Sequence, residues 1–130
     1  MTKTYSILLS FLLLGCSISD PLEIPNFNAE NFKSDRGGCK SLRVPEIENL
    51  KAAKELILGT SENALFKAIG RYDYQVLSKR NEKIYVYFLE PGPQCEYIQN
   101  STDALSLVLY MNATKLVKEM EIQRGGHSPH

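Results

Sequence analysis

Leu58-Gly59-Thr60-Ser61-Glu62-Asn63-Ala64-Leu65-Phe66-Lys67-Ala68-Ile69-Gly70 is the stretch on which the fold turns. Gly59 stops whatever precedes it, as glycine does just past a helix end. Thr60 or Ser61 then offers a hydroxyl to a free backbone amide, the cap of a helix over Glu62 to Ile69. Ala64, Leu65, Ala68 and Ile69 form its apolar stripe, and Gly70 ends it. Upstream, Pro45 opens a second helical run over 46–58. Ile47, Leu50, Ala53 or Lys54, and Ile57 fall at helical spacing there, with acidic residues in the first turn. Two helices joined by one tight turn are expected.

After Gly70 the period changes. Tyr72, Tyr74 and Val76 alternate with Asp73 and Gln75, the two-residue rhythm of a half-buried strand. Arg80-Asn81-Glu82 is a turn candidate, and Lys83-Ile84-Tyr85-Val86-Tyr87-Phe88-Leu89 is rich in strand-forming aromatic and β-branched residues. Glu90-Pro91-Gly92-Pro93 breaks it. Cys95 to Ile98 reads as short and extended. Leu105 to Met111 is a further strand with Leu105, Leu107, Leu109 and Met111 on one face. Leu116 to Ile122 closes the sheet after a turn at Asn112-Ala113-Thr114-Lys115. The expected architecture is α+β: two N-terminal helices packed on a three- to four-stranded antiparallel meander.

The N-terminus has a different character. Lys3 is a lone charge, Tyr5 to Leu14 is mostly apolar, and Gly15-Cys16 follows. These are the parts of a secretory signal peptide, and about ten apolar residues are too few to span a bilayer. Leu13-Leu14-Gly15-Cys16 resembles the lipobox of bacterial lipoproteins. The resemblance implies cleavage before Cys16, a lipid on its thiol and acylation of the new amino terminus. With Ser17 rather than Asp next, it implies the outer membrane, lipid-anchored, on the periplasmic face. The organisation read here is a signal peptide over 1–15, a lipidated tether over 16–38, a folded domain over 39–123 and a flexible tail over 124–130. Pro21, Pro25 and Gly37-Gly38 mark the tether, whose far end Phe27 and Phe32 can dock on the domain.

Removing the signal leaves 115 residues, with 14 basic and 15 acidic side chains. That is enough for one modest core. A near-neutral chain without a basic block argues against a nucleic-acid partner. Export would place Cys39 and Cys95 in an oxidising space, where they are expected to close a disulfide worth about 4 kcal/mol in the chain-entropy account. Two distant cysteines with no neighbouring histidine make a poor zinc set.

Leu58-Gly59-Thr60-Ser61, Ala64-Leu65, Ile69-Gly70, Tyr85-Val86-Tyr87 and Leu105-Ser106-Leu107-Val108-Leu109 together resemble the SmpA/OmlA group of lipoproteins. This group contains BamE of the outer-membrane β-barrel assembly machinery. The resemblance spans roughly residues 50–122 and implies a BamE-like fold, related to the β-lactamase inhibitor proteins. It also implies an envelope protein as partner. Arg71-Tyr72 stand where members often carry proline, and the cysteine pair lies outside the shared pattern.

No catalytic set is expected. His127 and His130 sit in the tail beside Gly125-Gly126 and Pro129. Cys39 has no ordered histidine to activate it, and Gly37-Gly38 lack the lysine and serine spacing of a phosphate loop. No cofactor beyond the lipid on Cys16, and no small-molecule substrate, is anticipated. What remains is surface. Tyr72, Tyr74, Tyr85 and Tyr87 either form a contact platform on the sheet face away from the helices or complete a small core and its margin. Asp35-Arg36 beside Cys39 is either a pinned recognition loop or a salt-bridged collar. The resulting expectation is a non-enzymatic, membrane-anchored interaction or scaffold module. The alternative is an inhibitor or immunity-type protein that blocks a periplasmic enzyme.

Overall fold

Four antiparallel strands in the order β1-β2-β3-β4 make one open sheet: Tyr74–Leu77, Lys83–Phe88, Leu105–Met111 and Val117–Arg124. The computed structural model describes residues 21–126. The expected signal peptide, Cys16, His127 and His130 lie outside the described residues. Four short helices precede the sheet: α1, Ala29–Ser34; α2, Ile47–Ala52; α3, Lys54–Ile57; and α4, Glu62–Ile69. The chain is α+β, and the helices cover one sheet face.

Helix α4 forms where the flanking residues dictate. Ser61 is extended and its Oγ accepts the Ala64 amide at 3.2 Å, satisfying one of the donors a helix start leaves open. Gly70, at φ +85°, ends it. Ser61→Ala should cost about 1 kcal/mol in urea unfolding. A shift within error would mean that the cap contributes nothing.

The helix expected over 46–58 is two short helices meeting at Ala53 (φ −90°, ψ 5°). Its apolar seam nonetheless runs on, because Leu50, Ala53 and Ile57 are all buried. They meet Leu65 and Ile69 of α4 and the near face of the sheet: Tyr85, Tyr87, Leu107, Leu109, Met111 and Met120.

Three boundaries differ from expectation. The folded body starts well before residue 39. Leu22, Ile24 and Phe27 pack on the core, Asn28 Oδ1 caps α1 by accepting the Asn31 amide at 3.1 Å, and Phe32 is fully buried. The Phe27 and Phe32 rings lie 5.1 Å apart, so apolar burial here overrides the proline-rich, polar composition that reads as a tether. At the other end, Arg124 belongs to β4, and Gly125 N–H donates to Ala104 C=O at 3.0 Å, which moves the start of the tail. Finally, the run Cys95 to Ile98, expected to be extended, is not a strand and begins inside a tight helical turn over Pro93–Cys95. Proline at its start has the φ such a turn needs.

The central strands are buried on both faces. Ile84, Val86, Phe88 and Val108 form a second apolar cluster on the face away from the helices, joined by Val76 and flanked by Tyr74, Ile98 and Tyr110. That second face positions the candidate site.

Candidate functional site

The four tyrosines do not share a surface. Tyr85 and Tyr87 are fully buried between sheet and helices, so of the two alternatives these tyrosines complete the core and are not part of a contact platform. Tyr85 Oη–H donates to Glu62 at 2.6 Å, and Tyr87 Oη–H donates to Gly70 C=O at 2.8 Å. Burial first, then the Glu62 contact, pushes the Tyr85 phenol above its ordinary pKa. Burial and the Asp73 charge do the same at Tyr87, so both act as neutral donors inside the core. Tyr72 is half-buried on this same side, stacked on Tyr85 at 4.5 Å with Arg71 over its ring. Of the four, only Tyr74 faces the other way, where its ring stacks on Phe88 at 5.7 Å.

A second feature joins the loops at one end of the sheet. The Cys39 and Cys95 sulfurs are 2.03 Å apart and their Cα atoms 5.8 Å apart, disulfide distance across 56 positions of sequence. Beside them lies an ion pair whose side chains are each 1% exposed: Arg43 Nη1 donates to Asp73 Oδ2 at 2.7 Å. Arg43 also donates to the Phe32 and Phe88 carbonyls, while Asp73 accepts from the Gly37 and Phe88 amides. Asp35, equally buried, accepts from the Lys40, Leu42 and Arg43 amides. Its carboxylate is thus a loop anchor, which answers the choice between recognition loop and collar: it holds the backbone of 40–43 rather than Arg36. Gln94 Nε2 completes the set by donating to the Gly37 and Glu90 carbonyls. Gly38, at φ +70°, lets this segment lie against β2; a Cβ there would sit 2.7 Å from the Phe88 carbonyl oxygen. Each of the two carboxylates accepts three hydrogen bonds, and buried charges held this way order a structure more than they stabilise it. This corner fixes where residues 90–102 leave the sheet.

Those residues build one wall of a groove of roughly 750 Å³. Tyr74, Val76, Phe88 and Ile98 supply its apolar floor. Gln75 and Leu77 of β1 form one side, and Gln99, Asn100, Ser101 and Thr102 the other. Among the described residues, no charged side chain lines it. The smaller recesses differ in this respect: one of roughly 380 Å³ carries Lys51, Lys54 and Glu121, and one of roughly 260 Å³ beside the disulfide carries Arg36 and Asp73. The groove is therefore suited to an uncharged ligand that can meet apolar groups below and amide or hydroxyl groups at the rim. Leu77, 58% exposed, stands at its edge.

The sequence offers Tyr74 for this face only as one of two alternatives, and it does not single out Gln75, Leu77, Ile98 or the 99–102 wall. The absence of charge from Tyr74-Gln75-Val76-Leu77 was a usable sign, since solvent-facing strand positions are commonly polar or charged. Among the described residues, no group of three His, Cys, Asp or Glu could hold a metal ion, and no helix is long and apolar enough to cross a membrane. No family model matches this chain, and neither the curated proteins nor the solved structures contain a match.

Proposed function

We propose that this chain is a non-enzymatic lipoprotein, anchored through Cys16 to the outer membrane and serving as a protein-interaction or scaffold module of the cell envelope. The observation that carries the interaction role is the uncharged groove on the sheet face opposite the helices, whose wall is braced by the disulfide corner. The anchor rests on the run from Lys3 to Cys16. Two acyl chains would hold the protein at a bilayer nearly permanently, because each buried methylene contributes about 0.8 kcal/mol. The same reading assigns the domain to a BamE-like arrangement, supported by the glycine-bounded second helix followed by a meander. A role in outer-membrane protein assembly follows from that assignment.

Mass spectrometry of the N-terminal peptide, with membrane fractionation of Cys16→Ala, tests the anchor. The variant should leave the membrane fraction almost entirely. A mature chain beginning elsewhere than residue 16, or one bearing no fatty acid, would end the proposal. Co-purification with a β-barrel assembly complex tests the narrower role.

One observation favours the inhibitor reading instead. Tyr97 is 59% exposed, next to exposed Glu96, and both follow the pinned Cys95. An exposed tyrosine and carboxylate beside a disulfide-pinned position suit a plug for a hydrolase cleft. Inhibition of periplasmic hydrolases by the purified protein, lost in Tyr97→Ala, would select that reading.

A further inference from the structure

We infer that the C-terminal end of α4 carries a docking site for an acidic peptide segment with apolar side chains beside its carboxylates. The site is Arg71, Lys67 and Lys33, set against the rings of Phe66 and Tyr72. It goes beyond the interaction-module reading, because it shares no residue with the groove. Two helix ends build it. Lys33 lies in the last turn of α1 and Lys67 in the last turn of α4. Lys33 Nζ donates to the Lys67 carbonyl, closing one acceptor that α4 leaves open. A Cβ on Gly70 would sit 3.1 Å from Lys33 Cγ, so the lysine stem runs over Gly70, next to Arg71. The Arg71 guanidinium carbon lies 5.7 Å from the Phe66 ring centre and 5.6 Å from that of Tyr72. These rings are themselves fixed. They meet edge to face at 5.9 Å, and Tyr72 stacks on buried Tyr85.

The charge here is one-sided. Lys51, Lys83, Lys118 and Arg124 each have a carboxylate at 3.9 Å or less. Among the described residues Lys33, Lys67 and Arg71 pair with none, and the Arg71 guanidinium makes no hydrogen bond. Glu62, on the same helix, is held by Tyr85 and Lys83. The Phe66, Lys67 and Gly70 carbonyls are engaged by Gly70 N–H, Lys33 and Tyr87. An arriving anion therefore meets donors rather than bare acceptors. Arg71 and Lys67 are exposed, while Phe66 and Tyr72 are half-buried. Stacking holds the guanidinium in place with its N–H fork in water, so little freedom is lost when a carboxylate takes the fork. The rings beside it offer the apolar contact of protein hot spots, which are rich in tyrosine and arginine. A polybasic membrane grip works differently, through many mobile cations near headgroups. One cation pinned on two rings suits one carboxylate at one place, and that favours a peptide.

The test is an NMR titration of the intact protein in a neutral detergent, following the Arg71 Nε–H and Lys67 amide signals. A short capped peptide alternating glutamate and leucine should shift both. Its counterpart with glutamine for glutamate should bind roughly tenfold more weakly, and salt at about 0.5 M should erase the difference. Arg71→Lys should keep the charge yet lose most of that preference, because the flat fork is gone. Lys67→Gln should weaken binding roughly twofold. In both variants the core Leu109 amide should stay as protected from exchange as in the native protein. Equal binding of the two peptides, or shifts that leave Arg71 unmoved, overturns the inference. Native-like preference in Arg71→Lys does so too, since charge alone would then suffice. Vesicles containing about 30% phosphatidylglycerol that shift Arg71 where the peptide does not would assign this face to a membrane and overturn it. Arg71 signals that move on Asp20→Asn without peptide would make the occupant the chain's own N-terminal segment, with the same consequence. Each overturning result leaves the anchor and the groove standing, since neither supplies a residue here.

Discussion

Asp73→Ala should destabilise the fold by about 3–5 kcal/mol, a large part of the roughly 5–15 kcal/mol that holds a domain together. The substitution leaves the Arg43 guanidinium buried with its charge unanswered and removes acceptors from the Gly37 and Phe88 amides. The loss exceeds what the pair contributes, since taking two charges out of water consumes most of their attraction. A double-mutant cycle separates these quantities. Arg43→Met alone should also be costly, because it orphans the Asp73 carboxylate and removes donors from the Phe32 and Phe88 carbonyls. Arg43→Met with Asp73→Leu should lie closer to the native protein than the sum of the single losses. Equilibrium urea denaturation reads all three. An Asp73→Ala loss below about 1 kcal/mol would show that water reaches this pair and that the corner is not a closed network.

The same corner shows where the sequence was legible and where it was not. Helix α4 and strand β3 could be read directly, because Ser61, Gly70 and the alternation from Leu105 to Met111 act through local chemistry that needs no tertiary partner. Arg43, Asp35 and Asp73 could not. A single charged side chain reads as solvated, and only the approach of residues 32–43 to the ends of β1 and β2 makes it a buried anchor. For Tyr85 and Tyr87 the choice between platform and core stayed open for another reason. Ile84-Tyr85-Val86-Tyr87-Phe88 has no polar face, since the strand is buried on both sides, and alternation then says nothing about which residues meet the helices. Phe32 was suggested as a docking residue, but asparagine, proline and glycine around it masked the extent of the folded segment. The groove was invisible for a related reason. Its wall is a loop at 98–102 whose position depends on a covalent link and on Gln94 reaching Gly37, not on any local pattern.

Reducing the Cys39–Cys95 link should cost about 4 kcal/mol, because the closed loop spans 56 positions and the freed chain regains the corresponding entropy when unfolded. In a domain of this size that corresponds to a fall in Tm of roughly 15–30 °C. Cys39→Ser with Cys95→Ser should reproduce it without reductant, which separates loss of the link from side effects of the reagent. The native state should keep its architecture under mild conditions, since Phe32, Arg43 and Asp35 still dock the N-terminal segment. What should loosen first is residues 90–102, which otherwise hang on Gln94, on Glu90 accepting the Leu105 amide and on Asn100 bonding the Pro93 carbonyl. Hydrogen exchange should therefore rise across 92–100 in the reduced protein well below its Tm, while Leu107 and Leu109 stay protected. Because the disulfide and the Arg43–Asp73 pair both hold the segment 37–43, losing both should unfold the protein at room temperature. Equal Tm values for oxidised and reduced protein would mean that the polar corner alone holds the loop, and that the groove wall needs no covalent brace.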